Sequence, residues 1–303
     1  MQLNLRCVEG AVDLLAAELG QFVIRSNRSS VDCCVSDLQE IAGCRLYSSA
    51  AIPLPGSPGD ETFLEPLQHL EPVAFRVGAD SATVRRELVS AVERMGWRND
   101  PRDWAINLTE SPAGWVAEVG ELHWVRRFGR LERLPWATSP VVAEVLVRLA
   151  KIRAGQVVLD PFCGSGTVLV AARAQQVDVR VVGADQSAGS IELARRNLGD
   201  GCLRVGFAEE LKHADGSVDR VVANLPFGKR VGSHQDNLRL YPAAVGEIAR
   251  VLTKDGRAVL MTEDKRLLRT AVAGTQGLKI VKERLLRFNG ATPTVFVLMP
   301  TRR

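Results

Sequence analysis

The chain has little of what several function classes depend on. Its six cysteines, at 7, 33, 34, 44, 163 and 202, form no Cys-x-x-Cys pair, and its four histidines, at 69, 123, 213 and 234, are scattered with no His-Glu-x-x-His. No zinc site, and no metal of any kind, is expected from such a set. The thiols are expected to be free, buried and reduced. No run reaches the ~18 uninterrupted apolar residues of a membrane helix, so no membrane partner is expected. The opening MQLNLRCVEGAVD lacks a basic segment followed by an apolar one, which makes a signal peptide unexpected and the cytoplasm the expected location.

Lysine is missing from the first 140 residues, whose 14 arginines face 19 acids for a net charge of −5; the remainder carries +9. A cationic excess on one half is compatible with a phosphate-bearing partner, and also with a plain solvated surface. What is present is enough apolar material for a core: 303 residues, 46% hydrophobic and 24% charged. That length suggests about two domains.

The first half reads as an α+β mixture. EGAVDLLAAELG places Val12, Leu15 and Leu19 at helical spacing, and AAIPLPGSPGDETF (50–63) reads as a loop. AFRVG is expected as a strand, and DSATVRRELVSAVERMGW as a capped helix with Val84, Leu88, Val92 and Met95 on one face. WAINLTE and GWVAEVGE alternate as strands around a turn at 111–114. A basic connector follows, WVRRFGRLERLPWATSP, whose four arginines, with Phe128 and Trp136, suit a phosphate backbone and stacked bases as well as they suit packing against a neighbouring domain. From Pro140 strands and helices alternate, ending in an antiparallel hairpin over KIVKERLLRF and TVFVLMP. The expected order is a small α+β domain over 1–125, a basic linker over 126–139, and a mostly parallel α/β sheet over 140–303.

Ligands in such sheets sit at the carboxyl ends of the strands. The first strand there ends VVLDPFCGSGTV, with Gly164 and Gly166 opening a helix. Position 169 is leucine where a dinucleotide fingerprint needs glycine, and no Gly-Lys-Ser/Thr is present, so neither nucleotide-phosphate reading fits. Asp160 stands at the strand tip, and Asp185, at the end of the next strand, is placed for both hydroxyls of a ribose. A ligand with a ribose, no pyrophosphate and a zwitterionic tail is indicated, and S-adenosylmethionine is such a ligand.

DPFCGSGT, then GAD, then NLPFG resemble in order the motifs of class I S-adenosylmethionine-dependent methyltransferases. Asn224-Leu225-Pro226-Phe227 is similar to the tetrapeptide of enzymes that methylate amino nitrogens. The longer NLPFGKRVGSHQDNLRLYPAAVGEIARVL resembles the THUMP-associated RNA methyltransferases that make N2-methylguanosine, and the likeness runs from about Pro135 to the end. LRCVEGAVDLLAAEL and DPRDWAINLTESPAGWVAEVG resemble, more weakly, the ferredoxin-like and THUMP elements that precede such domains. The resemblance implies a Rossmann-like methyltransferase sheet behind a smaller ferredoxin-like/THUMP-like RNA-positioning domain. It implies cofactor contacts from Thr138, Ser139, Asp160, Phe162, Cys163, Gly164, Gly166, Asp185 and Asn224. One departure stands out: where relatives read Gly-Asp-Ala, this chain reads Gly206-Phe207-Ala208, which leaves the adenine contact to the Ala208 amide or to Glu209.

The tetrapeptide has a chemical rationale. An exocyclic amine on a base is a poor nucleophile because its lone pair is delocalised into the ring. Two fixed acceptors, the Asn224 side-chain oxygen and a carbonyl at Leu225 or Pro226, pull the nitrogen toward a tetrahedral geometry. Pro226 stiffens the turn, and Phe227 stacks on the unstacked base. Lys229, Arg230, Arg126 and Arg127 are the candidate grips on flanking phosphates. The expected function is S-adenosylmethionine-dependent methylation of an exocyclic amine, guanine N2 in tRNA first. An amino-methyltransferase acting on DNA adenine, protein glutamine or a small nucleoside is the alternative, and a non-catalytic RNA-binding protein of the same fold is another. No Pro-Cys dipeptide occurs, which speaks against a cytosine-C5 mechanism.

Overall fold

A computed structural model describes residues 1–111, 114–199, 202–227 and 234–301. The chain divides into two compact units, Met1–Arg130 and Leu131–Arg303. The division falls inside the expected linker, so that Arg126–Arg130 belong to the first unit and Leu131–Ser139 to the second.

The first unit is built on β1 (Gln2–Cys7), β2 (Val23–Ser26), β3 (Ser30–Cys34), β4 (Tyr47–Pro53), β5 (Ala74–Gly78), β6 (Arg98–Asn99), β7 (Ile106–Ser111) and β8 (Gly114–Val119). They form one sheet in the order β2-β3-β1-β4-β8-β7-β5-β6. Pairing is antiparallel except where β5 lies parallel to β6 and β7. Alternation drives β1, whose Leu3 and Leu5 are fully buried. Helices α1 (Val12–Leu19), α2 (Gln39–Ala42), α3 (Ala82–Glu93) and α4 (Trp124–Arg127) accompany the sheet. Ser81 caps α3 by accepting from the Val84 amide. The expected loop at 50–63 begins later than the sequence suggests. Ala50, Ala51 and Ile52 are buried inside β4, with Pro53 paired to Val116 at the strand's end. A proline is tolerated at such a terminus, so it did not mark the loop's start.

The second unit runs α5 (Pro140–Ala150), β9 (Gln156–Asp160), α6 (Thr167–Gln175), β10 (Val179–Asp185), α7 (Ala188–Leu198), β11 (Cys202–Val205), β12 (Val218–Asn224), α8 (His234–Val251), β13 (Leu252–Thr262), α9 (Lys265–Ala273), β14 (Leu278–Leu285) and β15 (Thr294–Pro300). The sheet order is β11-β10-β9-β12-β13-β15-β14. Only β15 is antiparallel to its neighbours, β13 and β14. Val221, Val222 and Ala223 of β12 are all buried, as a strand covered on both faces requires. From β9 the chain steps outward to β10 and β11, then returns to the other side at β12. The crevice at the carboxyl ends of β9 and β12 is therefore the switch point where ligands of this fold class bind.

The expected buried face of α8 holds at Tyr241, Val245 and Ile248 and departs only at its first member. Leu238, expected on the buried face, is 44% exposed, while Asn237 beside it is fully buried together with Tyr241, Val245 and Ile248. No helix among the described residues is long and apolar enough to cross a membrane.

Candidate active site

β9 delivers Asp160 to the switch point and buries it, 1% exposed. Its carboxylate accepts from the Phe162 amide at 3.0 Å. Burial pushes this acid up to about 8, with the nearby Asp185 charge adding to the rise and the Phe162 bond opposing it. The glycine loop then turns back toward β10. Both its glycines have positive φ, 52° at Gly164 and 80° at Gly166. They serve different ends. A Cβ on Gly166 would meet Leu198 Cδ1 at 2.9 Å, so glycine there lets α6 and α7 close together, whereas a Cβ on Gly164 meets nothing within 4 Å.

The amides of both glycines are engaged within the protein. Gly164 N donates to Asp185 Oδ2 at 2.9 Å, and Gly166 N to the Cys163 carbonyl at 2.8 Å. Asp185 is held further by Ser187 N on Oδ1 at 2.9 Å. Each of its oxygens keeps a lone pair for a ribose hydroxyl. Ser165 Oγ and Thr167 Oγ1 are buried with no partner among the described residues. Open space over Gly164, a doubly anchored carboxylate, a neutral-leaning buried acid and two unsatisfied hydroxyls fit a ligand with a ribose and a cationic, polar tail. Phe162 is packed against the sheet's core. The Cys163 thiol is pushed well above its usual range by burial, then by Asp160 and Asp185, which leaves it a packing atom. Gly206 N donates to the Asp185 carbonyl, bringing Phe207, 56% exposed, and buried Ala208 to the same end of the sheet.

Across the switch point β12 ends in Asn224. Its Nδ2 donates to Thr138 Oγ1 at 3.0 Å, and its Oδ1 is buried with no partner. Thr138 thus fixes which way the amide faces, a bond that differs from the cofactor contact implied by resemblance. Ser139 stands at the N-cap of α5 without a side-chain cap bond. The Pro226 carbonyl, one of the two expected acceptors for a substrate amine, is already taken. Asn237 Nδ2 and Tyr241 Oη both donate to it, each at 2.8 Å, and a carbonyl has two lone pairs. That leaves Leu225, whose amide is tied to the Met261 carbonyl at 3.0 Å, as the carbonyl available from the pair. Phe227 is half-buried beside it.

The clamp on Pro226 extends further. Tyr241 Oη lies 2.7 Å from Thr262 Oγ1, which accepts from Asp264 N at 2.9 Å. Tyr241 has one proton and gives it to Pro226, so Thr262 donates to Tyr241 and both hydroxyls are satisfied. Burial pushes the Tyr241 phenol far above its usual range, so it stays a donor. Tyr241→Phe is expected to cost about 1–3 kcal/mol of unfolding free energy and to lower turnover, because the turn carrying Asn224 loses one of its two pins. Urea titration and steady-state kinetics check this; unchanged turnover with unchanged stability would contradict it. Asn237, Tyr241 and Thr262 were not among the expected site residues. The available signal was a polar residue one turn before a tyrosine on a buried helical face.

Of the expected phosphate grips, Lys229 and Arg230 lie outside the described residues. Arg127 is turned into the first unit: it donates to the carbonyls of Cys44 and Tyr47 and lies 3.8 Å over the Tyr47 ring. Arg126 lies 5.2 Å over the Trp104 ring and 3.4 Å from Asp103. Glu209 is exposed.

The model of the RMKL-like methyltransferase domain matches residues 130–293. A tRNA (guanine(6)-N2)-methyltransferase of Thermus thermophilus is 32% identical over 211 residues, 68% of this chain and 59% of that protein. The human tRNA (guanine(6)-N(2))-methyltransferase THUMP3 is 28% identical over 186 residues, 55% of this chain and 37% of its own. The chain thus spans between about a third and three fifths of these relatives. The crystal structure of TrmN from Thermus thermophilus superimposes with a TM-score of 0.77 at 26% identity, covering 99% of both chains. The family model spans more than half of the chain, and the chain belongs to the RMKL-like methyltransferase domain family.

Proposed function

We propose that the protein methylates an exocyclic amine of a base in RNA, guanine N2 in tRNA being the reading best supported, with S-adenosylmethionine as methyl donor. One observation carries it: Asn224 Oδ1, buried, unpartnered and oriented by Thr138, stands beside Phe227 at the switch point. An unsatisfied buried acceptor costs stability unless a ligand donor completes it, and an exocyclic amine brings that donor. The printed functions of the bacterial and human relatives support guanine N2 and tRNA.

Asp185 would hold the ribose of the donor, Asp160 its cationic end, and the open space over Gly164 its passage. S-adenosylmethionine supplies an activated methyl group. The chain's own residues prepare the acceptor. Asn224 Oδ1 and the Leu225 carbonyl accept hydrogen bonds from the two amine N–H groups and localise the nitrogen lone pair, while Phe227 holds the base flat. Alignment, more than a strong base, is what the geometry provides.

The test is transfer of labelled methyl to unmodified tRNA transcripts, followed by nucleoside mass spectrometry. N2-methylguanosine is the expected product; methyl transfer to DNA adenine or protein glutamine instead would replace the reading. Affinity for RNA is expected to fall by about tenfold or more between 50 and 200 mM salt as phosphate contacts are lost. A flat response in filter-binding assays would point to a small-molecule substrate.

A further inference from the structure

Residues 131–139 are a strap pinned at both ends. At one end Asn197 of α7 accepts from Glu132 N at 2.9 Å and donates to the carbonyls of Glu132 and Ser165, both at 2.8 Å. Arg196 adds an ion pair to Glu132 at 2.9 Å. The Ser165 bond ties this end to the glycine loop. At the other end Thr138 holds Asn224 at 3.0 Å. Between the pins the chain makes a turn, Ala137 N donating to the Leu134 carbonyl at 3.0 Å, with Pro135 at the position where its fixed φ suits the turn.

Trp136 sits at the apex of that turn and is 51% exposed. The two anchors hold this half-exposed ring two residues from the Thr138–Asn224 contact. Its Cα lies within ~8 Å of that of Thr138, two residues on, and Thr138 touches the amide that awaits an amine. We propose that Trp136 is a substrate-binding residue: a purine displaced from RNA lies against its indole face while the exocyclic amine reaches Asn224. This rests on the methyl-transfer reading above and deepens it by adding a second aromatic ring, besides Phe227, that selects for a flat, unstacked base. The strap also couples the two halves of the site, because the segment that carries the ring is fastened to the donor's loop by Asn197 and to the acceptor's amide by Thr138.

Trp136→Ala is expected to lower kcat/KM for tRNA transcript by about 10- to 100-fold, mainly through KM, as loss of one aromatic–base stack does. S-adenosylmethionine affinity, measured by calorimetry, is expected to stay within twofold, and the thermal midpoint is expected to hold because the ring fills no core space. Trp136→Phe keeps a stacking face and is expected to recover most of the activity. A Trp136→Ala enzyme equal to wild type on RNA overturns the proposal. If the wild type itself transfers no methyl to RNA, the functional reading fails first. The proposal is then decided by indole fluorescence with GMP as the probe: a quenched component present in wild type and absent from Trp136→Phe supports it, and identical traces overturn it.

Discussion

Asn224→Ala is expected to reduce methyl transfer by at least ~10²–10³-fold while leaving S-adenosylmethionine affinity within a few-fold of wild type. Removing one preorganised hydrogen-bonding group from a reacting centre typically has that effect on kcat. Here the group is better prepared than the sequence implies, since Thr138 takes the amide's Nδ2 and leaves Oδ1 buried and unpartnered. Truncation removes an unpartnered acceptor together with the Nδ2–Thr138 bond, two opposed effects that leave the expected stability close to that of wild type. Lost turnover with retained stability separates this outcome from misfolding. Asn224→Asp is a useful companion, because it keeps an acceptor oxygen while requiring the Thr138 hydroxyl to donate; partial activity is expected. Single-turnover kinetics and cofactor calorimetry on both variants decide the matter, and a fully active alanine variant would sink the assignment.

Asp160→Asn is expected to flatten the dependence of stability on pH and to weaken cofactor binding. In the folded protein burial raises this acid to about 8, from an ordinary value of 3.8. Between those two values the folded state keeps a proton that the unfolded state has released. Unfolding therefore becomes more favourable as pH rises through the window, and above pH 8 the whole penalty of a buried carboxylate is present. Asparagine is neutral throughout and still accepts from the Phe162 amide. The variant is expected to match wild type near pH 4 and to exceed it by a few kcal/mol near pH 8–9, read from urea titrations across that range. Parallel curves for the two proteins would contradict the buried acid's role. A cationic ligand reverses the balance by favouring the carboxylate, so binding of S-adenosylmethionine to wild type near pH 7 is expected to release about one proton. Calorimetry in buffers of different ionisation heat measures that release, and the asparagine variant is expected to lose both it and most of the affinity.

Much of the second unit was legible because it is built from short-range signals. Val-rich runs over 156–160, 179–185 and 218–224, each followed by a helix, can pack only as a doubly covered sheet, and strand ends in such a sheet converge on a switch point. Asp160, Asp185 and Asn224 each end a strand, and the two glycines lie in the loop between β9 and α6, so their placement followed from order along the chain. The first unit was less legible, because Ala50, Ala51 and Ile52 carry too few residues of alternation to outweigh the prolines that follow. The linker reading at 126–139 rested on composition, and composition does not say that Arg127 turns into the first unit over Tyr47.

By itself the sequence determined the layered α/β plan of residues 140–303 and the identity of the groups at each strand end. These depend on hydrophobic period and on residues a few positions apart. Only the tertiary structure decided how those groups face. Thr138 and Asn224 are 86 residues apart along the chain and meet at 3.0 Å. Asn237 and Tyr241 reach back from α8 to take the Pro226 carbonyl. A hydrogen bond's direction depends on where two distant backbones place its partners, and no local pattern records that. In the proposed reaction the second acceptor would therefore be the Leu225 carbonyl in place of that of Pro226, while Asn224, the acceptor expected from the sequence, has its direction set by Thr138.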